Sequence, residues 1–308
     1  MPPMAHEPPP TRAEMRASLA ADLAAIPEER RRRRPVIDSG GGRTVIVHQD
    51  GKRRRLINWA SNDYLGALGR IRVRNGASRA LRRYGPGAGA ARLLAGGLRF
   101  HRRLEERLAH WLGVDDCLVT TTGYQANLAA ITTLLQPPED VVILDRLCHA
   151  STYDAAKLAN ANLLRFRHND LDDLERQLQR SAGAPRRLVC VESVYSMDGD
   201  EAPLAGIRDC CDRHGALLLV DEAHAFGIHG QGRGLCAETG VVPDLIVGTC
   251  SKALGAQGGF LAGDQDLIDL AVNRARSFIF TTAPVPAAMG AAVGMLDVLR
   301  DDEGLGDQ

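Results

Sequence analysis

From about residue 97 the chain alternates short apolar runs with segments whose apolar residues recur every three or four positions. "LRFHRRLEERLAHWLG" places Leu98, Leu104, Leu108 and Leu112 on one helical face, with Gly113 as its stop. "CLVTTTG" predicts a strand that ends at a glycine, and "YQANLAAITTLL" the helix that follows. "VVILD", "NLLRFRH" and "RLVCVES" predict further strands, separated by the helical patterns "HASTYDAAKLA", "LDDLERQLQR" and "LAGIRDCCDRH". "ALLLVD" and "DLIVGT" are nearly all apolar, as strands covered on both faces are. Strands alternating with helices predict an α/β fold, a mainly parallel sheet flanked by helices, with ligands received at the carboxyl ends of the strands.

Composition narrows the function classes. A length of 308 residues suffices for one large domain or two ordinary ones, and 44% hydrophobic with 25% charged residues is the make-up of a soluble globular protein. The 38 basic and 38 acidic residues cancel, so overall charge points to neither nucleic acid nor an anionic membrane. No apolar run reaches transmembrane length. The opening "MPPMAHEPPPTRAEM" lacks the apolar core of a signal peptide, so residues 1–11 are expected to be disordered and the protein cytoplasmic. Seven cysteines, an odd number set mostly in apolar segments, are expected to be reduced core thiols. "CCDRH" (Cys210, Cys211, His214) has no second ligand pair and is not read as a metal site. "RRRRR" (residues 30–34) reads as a solvated helix end.

Candidate chemistry lies just past the predicted strands. Thr122, Gly123 and Tyr124 follow "CLVT" and open a helix, where backbone N–H groups are free to meet a phosphate. His149 follows "VVILDRLC" and begins the next helix, as a cap or as a flat group to stack on a ring. Ser196 lies in the polar turn "ESVYSMDGD". Asp221 ends "ALLLVD", so its carboxylate emerges from a buried strand either to cap the next turn or to serve a ligand, and "DEAH" then places His224 three residues on. The same four letters occur in helicases, but the phosphate loop GxxxxGK[ST] that should precede them is absent. Lys252 sits in "GTCSKALGAQGGFLAG", a run of small and apolar residues. A lysine deprived of water has a lowered pKa and can trap a carbonyl. A pyridine ring that carries an aldehyde and a phosphate needs an amine, a carboxylate for the ring nitrogen, a flat neighbour and a backbone cup. Lys252, Asp221, His149 and the turn 122–124 fit these roles, as in pyridoxal phosphate enzymes, with the glycines around Lys252 expected to let the cofactor approach closely.

The chain also resembles the α-oxoamine synthases, within the aspartate-aminotransferase-like class of pyridoxal phosphate enzymes (fold type I). The resemblance runs in order through "NWASNDYLG" (58–66), "GPGAGAARLLAGGLRFHRRLEERLAHWLG" (85–113), "TGYQAN" (122–127), "RLCHAS" (146–151), "ESVYSMDGD" (192–200), "VDEAHAFGIHGQGRG" (220–234), "GTCSKALG" (248–255) and "FIFTTAPVPA" (278–287). It implies that Lys252 carries the cofactor as an imine, Asp221 pairs with the ring nitrogen, and His149 stacks on the ring and meets substrate. It further implies that Ser196 and His224 contact the ring hydroxyl and that Gly123, Tyr124 and Thr249 help hold the cofactor. Thr281 or Thr282 would reach the phosphate of a neighbouring subunit in a homodimer with shared sites. Asn62 and an arginine of the 30–34 run, best Arg31, would line the substrate pocket. Such enzymes condense a small amino acid with an acyl-CoA and release CoA and carbon dioxide.

"RFRHNDLDDLERQL", "SMDGDEAPL" and "DEAHAFGIHGQGRG" resemble the branch that makes 8-amino-7-oxononanoate for biotin from L-alanine and a pimeloyl thioester, on CoA or acyl-carrier protein. Glycine C-acetyltransferase and 5-aminolevulinate synthase share the same core and are the alternative branches. On this resemblance, residues 1–57 form an N-terminal segment, 58–296 the large cofactor-binding domain, and 297–308 the start of a smaller C-terminal domain. That domain carries the family's carboxylate-gripping arginine, so the chain ending at Gln308 is expected to bind cofactor with poor or no turnover, or to act as a partner subunit.

Overall fold

A computed structural model describes residues 9–32, 34–38, 42–49, 51–136, 138–302 and 304–307. The chain divides into two compact units, Met1–Gly40 with Thr44–Ile57, and Gly41–Arg43 with Asn58–Gln308. In the first, helix α1 (Arg12–Ala25) starts at Thr11, whose hydroxyl accepts from the Glu14 N–H while the Glu14 carboxylate accepts from the Thr11 N–H. Strands β1 (Val36–Ile37), β2 (Thr44–Gln49) and β3 (Lys52–Ile57) pair antiparallel in that order. Residues 1–8 of the segment expected to be disordered, and Arg33 of the arginine run, lie outside the described residues. The helix ends at Ala25, so Arg30–Arg32 do not form its end; Arg30 closes a separate short turn, and the three residues are exposed.

The second unit is built on a seven-stranded sheet of β4 (Asp116–Thr120), β5 (Val141–Asp145), β6 (Asn162–Phe166), β7 (Arg187–Glu192), β8 (Leu217–Asp221), β9 (Leu245–Thr249) and β10 (Gly259–Gly263), in the order β4-β10-β9-β8-β7-β5-β6. β5 to β9 pair in parallel. β10 runs antiparallel between β4 and β9. The helices are α2 (Ile71–Tyr84), α3 (Arg99–Leu112), α4 (Gly123–Leu134), α5 (Ala150–Ala159), α6 (Leu171–Arg180), α7 (Leu204–His214), α8 (Leu235–Thr239), α9 (Gln265–Arg274), α10 (Arg276–Ile279) and α11 (Pro286–Asp301). Successive strand residues point to opposite faces, and here both faces are covered. Val142 and Leu144 join a cluster with α4, α5 and α9, whereas Val141 and Ile143 join one with α6 and α7. Val119 and Phe260 pack on the second face against α3 and α11. Gly113 ends α3 in the left-handed conformation at φ 73°. α11 runs through residue 297 without a break.

All seven cysteines are buried and unpaired. Cys210 and Cys211 face the core of α7, while His214 pairs with Glu175 at 2.6 Å. No cluster of metal-ligating side chains occurs among the described residues, and no helix among them is long and apolar enough to cross a membrane.

One ionic cluster makes stability pH-dependent. His168 offers Nδ1 to Asp145 at 3.0 Å and Nε2 to Asp200 at 2.6 Å, so both ring nitrogens face carboxylates. Burial pulls its pKa down, but the hydrogen bonds and charges of Asp145 and Asp200 outweigh this and the net shift is upward. A raised folded-state pKa gives stability that is full below the unfolded value, about 6.5, and is lost as pH rises through the folded value. Thermal melts of His168→Gln should therefore lie below wild type in mildly acidic buffer and converge on it at alkaline pH. A constant gap would contradict the cluster's role.

Candidate active site

The carboxyl ends of β4, β5, β7, β8 and β9 open on one cavity of about 220 Å³. Parallel sheets receive ligands there because the strand ends leave backbone groups and turns free to approach them. Lys252 reaches the cavity from the turn after β9. The turn is closed by Cys250 N–H to Gly258 O at 3.0 Å and Ala256 N–H to Cys250 O at 2.8 Å, and Cys250, Ala253 and Leu254 are buried around it. Their burial leaves Ser251 and Lys252 as the residues of the turn that line the cavity.

Nζ of Lys252 lies 2.6 Å from Nε2 of His224. Burial lowers the lysine's pKa, against the opposing pull of Asp221 and Glu192. His224 is pushed down to about 4, first by burial and then by the charges of Lys252 and His149, so its imidazole is neutral at physiological pH. The pair is thus an amine biased toward its nucleophilic form beside a neutral imidazole.

Asp221 is 6% exposed and held by two donors. Ala223 N–H reaches Oδ1 at 3.0 Å, so the carboxylate does cap the following turn, and Asn127 Nδ2 reaches Oδ2 at 2.8 Å. Asn127 gives its other proton to Ser151 Oγ at 3.0 Å, and the Ser151 hydroxyl lies 2.7 Å from His149 Nδ1. The Ser151 N–H also donates to that nitrogen, at 3.2 Å, so His149 caps α5. One amide therefore fixes both the carboxylate and the imidazole ring across the cavity.

Glu192 ends β7 in register with Asp221 on β8. It is 3% exposed, lines the cavity, and has a buried Oε1 without a hydrogen-bond partner. Burial and, second, the Asp221 charge push its pKa up to about 8, so it stands as a neutral acid at neutral pH. The rule that found Asp221, a polar residue closing an apolar strand, applies equally to "RLVCVE". Asn127, Ser151 and Glu192 are site residues that the sequence reading passed over.

The cup for an anion lies at the start of α4. Thr122 caps the helix by accepting the Gln125 N–H at 3.2 Å, which leaves the first-turn N–H groups of Gly123 and Tyr124 at the cavity wall. Thr249 lines the same wall with its hydroxyl tied to Gly258 O at 2.9 Å. The Tyr124 hydroxyl bonds to Asp154.

The glycines near Lys252 have a different role from the one expected. A Cβ on Gly259 would fall 2.4 Å from the Thr122–Gly123 backbone, and one on Gly255, at φ +58°, would fall 2.6 Å from Ala67 Cβ. They let β10 and the lysine turn pack against other chain segments rather than face the cavity.

Lys252, Asp221, His149, His224, Gly123, Tyr124 and Thr249 all line the one cavity. Ser196 does not; it is exposed on the turn after β7. Thr281 accepts from Gln125 Nε2 at 3.5 Å, and the Thr282 carbonyl accepts from the Thr121 hydroxyl at 3.3 Å, both away from the lining. Asn62 is exposed, 3.3 Å from the Tyr64 hydroxyl. Arg31 lies in the N-terminal unit, where its guanidinium donates to Ile26 O and Ala24 O. The lining fits a phosphorylated pyridine aldehyde. It offers an amine, a fixed carboxylate, a fixed flat ring, a helix N-terminus, and two buried oxygens, Asn127 Oδ1 and Glu192 Oε1, that lack partners within the chain.

Known proteins resemble the chain over most of its length. The putative 8-amino-7-oxononanoate synthase of Bacillus licheniformis is 42% identical over 247 residues, 79% of this chain and 64% of that protein. The 8-amino-7-oxononanoate synthase of Anaeromyxobacter sp. strain K is 47% identical over 252 residues, 81% of this chain and 63% of that protein. The chain thus spans a little under two thirds of the length of these curated relatives. Serine palmitoyltransferase of Sphingomonas wittichii superposes with a TM-score of 0.84 at 34% identity, over 94% of this chain and 73% of that one. A serine palmitoyltransferase from S. paucimobilis with bound PLP–myriocin aldimine superposes with a TM-score of 0.85 at 32% identity, over 94% and 75%. The profile of the aminotransferase class I and II family matches residues 54–299, and the chain belongs to that family.

Proposed function

We propose that the cavity binds pyridoxal 5'-phosphate and that the protein condenses L-alanine with a pimeloyl thioester, on CoA or acyl-carrier protein, with loss of carbon dioxide and the thiol, to give 8-amino-7-oxononanoate for biotin. The observation that carries the reading is the half-buried Lys252 amine sharing one small cavity with the doubly held Asp221. When bound, the pyridine ring supplies an electron sink for a carbanion on the amino acid's α-carbon.

The chain's own groups do the rest. Lys252 Nζ, low in proton affinity, would hold the cofactor's aldehyde and, when free of it, would take a proton from the substrate's α-carbon. Asp221 would hold a proton on the ring nitrogen, His149 would pack on the ring, and His224 would serve the ring hydroxyl; the family resemblance gives Ser196 the same role, although that residue lies outside the lining. The N–H groups of Gly123 and Tyr124, with Thr249, receive the phosphate. Asn62 and His149 would meet substrate. Neither Thr281 nor Thr282 lines its own chain's cavity, as befits residues serving the phosphate of a second subunit in a homodimer. The names of the curated relatives support the pimeloyl branch, and the likeness to serine palmitoyltransferase supports acyl condensation with a different amino acid and acyl group.

Purified protein mixed with pyridoxal phosphate should develop a visible imine absorbance, and Lys252→Ala should abolish it. An unchanged band in the variant would refute the assignment. Thiol release measured with alanine, glycine or serine against pimeloyl-, acetyl-, succinyl- and palmitoyl-CoA should be fastest with alanine and pimeloyl-CoA. Faster release with another pair would move the protein to that branch.

A further inference from the structure

Tyr64 contacts the ring nitrogen of His224 that does not face Lys252. Its turn is anchored by Asp63, whose carboxylate accepts the N–H groups of Ala67 at 2.6 Å and Leu68 at 3.3 Å. The Tyr64 hydroxyl then lies 2.8 Å from His224 Nδ1 and 3.3 Å from Asn62 Oδ1. It has one proton to give, and burial raises its pKa, so the proton is present at neutral pH.

Two patterns satisfy the chain Asn62–Tyr64–His224–Lys252. In one, Tyr64 donates to Nδ1, Nε2 carries hydrogen, and Nε2–H donates to the lone pair of a neutral Lys252. In the other every arrow is reversed: a Lys252 ammonium donates to Nε2, Nδ1–H donates to Tyr64, and Tyr64 donates to Asn62. Both patterns fill the 2.8 Å Tyr64–His224 contact, and they differ in the ammonium that the second needs; the half-buried site of Lys252 disfavours that charge, and the first pattern asks only that Asn62 turn its N–H end toward the tyrosine oxygen. The 2.6 Å contact between Nε2 and Nζ then requires an unprotonated amine. Burial, the largest influence, disfavours the ammonium; the Asp221 carboxylate at the end of β8 favours it, and Glu192 at the end of β7 does so only when ionised. On His224, burial, the largest influence, opposes imidazolium, so a neutral tautomer is chosen rather than a charge gained.

We propose that Tyr64 is a positioning residue that fixes His224 as its Nε2–H tautomer and so holds Lys252 as the neutral amine. The inference rests on the reading of Lys252 as the carbonyl-trapping amine. The same Nε2–H is the donor that a ring hydroxyl oxygen would meet after Lys252 has left for the aldehyde. One tautomer serves both states, so His224 need not exchange protons between them.

The test has two arms. Long-range ¹H–¹⁵N correlation of ¹⁵N-histidine-labelled protein without cofactor should show His224 with its proton on Nε2 in wild type and in Asn62→Ala, and a loss of that preference in Tyr64→Phe. An Nδ1–H tautomer in wild type, or an unaltered one in Tyr64→Phe, overturns the proposal, as does a tautomer change in Asn62→Ala. In the second arm, imine formation with pyridoxal phosphate is followed against pH. Tyr64→Phe should raise the apparent pKa of Lys252 by about one unit and slow imine formation about tenfold near neutral pH; an unchanged profile overturns the proposal. If wild type forms no imine at all, the functional reading fails while the tautomer remains measurable. The wild-type spectrum alone decides the tautomer should Tyr64→Phe misfold.

Discussion

Asp221→Asn should leave imine formation intact and lower turnover by roughly 10²–10⁴-fold, the rate equivalent of the about 3–5 kcal/mol lost when one member of a buried charge pair is removed. Asp221 favours the charged form of Lys252, so removing its charge lowers the lysine's pKa further and leaves the amine at least as free to trap the aldehyde. What the substitution would remove, on the proposed reading, is the anion that would keep the cofactor's ring nitrogen protonated. The substitution also disturbs the site locally. The carboxylate accepts from Ala223 N–H and from Asn127 Nδ2. Either orientation of an asparagine amide turns an NH₂ toward one of these donors, a mismatch worth about 1–3 kcal/mol. Removing the Asp221 charge should also let the Glu192 pKa fall, since that charge is the second cause of its rise. Measuring the imine band and kcat in parallel separates the outcomes: loss of the band would make Asp221 a structural support of Lys252, and unchanged kcat would remove it from the chemistry.

Most of the sheet was legible because its strands are apolar runs bounded by polar residues, the pattern that burial on both faces demands. β10 was not. Gly259–Gly263 has two large side chains, Phe260 and Leu261, flanked by small residues, and no β-branched residue, and its sequence reads as part of a loop. It is a strand because it fills the gap between β4 and β9, and Gly259 is needed where the Thr122–Gly123 backbone crosses it. The hairpin β2–β3 did have a local signal, the Asp-Gly pair at 50–51 between "TVIVHQ" and "KRRRLI".

At the site, Lys252 and Asp221 stood out because a charged residue closing or following a buried strand needs a reason. Glu192 obeys the same rule and was still missed, hidden in a turn read for Ser196. Tyr64 lies 160 residues from His224, and only the folded chain shows the contact. The "E" of "DEAH" is structural. Glu222 is fully buried and accepts from Ser193 Oγ and from the N–H groups of Leu235 and Cys236, which pins α8 beneath the site.

Arg92→Ala should cost about 3–5 kcal/mol of stability, because it strands a buried carboxylate. Glu105 on α3 is 2% exposed. Arg92 meets it with two parallel bonds, Nη1 to Oε1 at 2.7 Å and Nη2 to Oε2 at 3.0 Å. The same Oε1 accepts the Val119 N–H at 3.0 Å, so the carboxylate also holds the outer edge of β4. The remaining cation nearby is Arg102, half exposed and 4.0 Å away, too far and too wet to substitute. Truncation also removes the guanidinium over the Phe278 ring, at 5.7 Å. Because β4 leads directly into the Thr122–Tyr124 cup, the variant should also bind pyridoxal phosphate less tightly at temperatures where it stays folded. Arg92→Met combined with Glu105→Leu is the decisive control. With both charges gone and the volume kept, denaturant midpoints should recover most of the loss, since an apolar pair often replaces a buried ion pair at little cost. A double variant as unstable as Arg92→Ala would show that Glu105's bond to Val119, rather than its charge pair with Arg92, carries the stability.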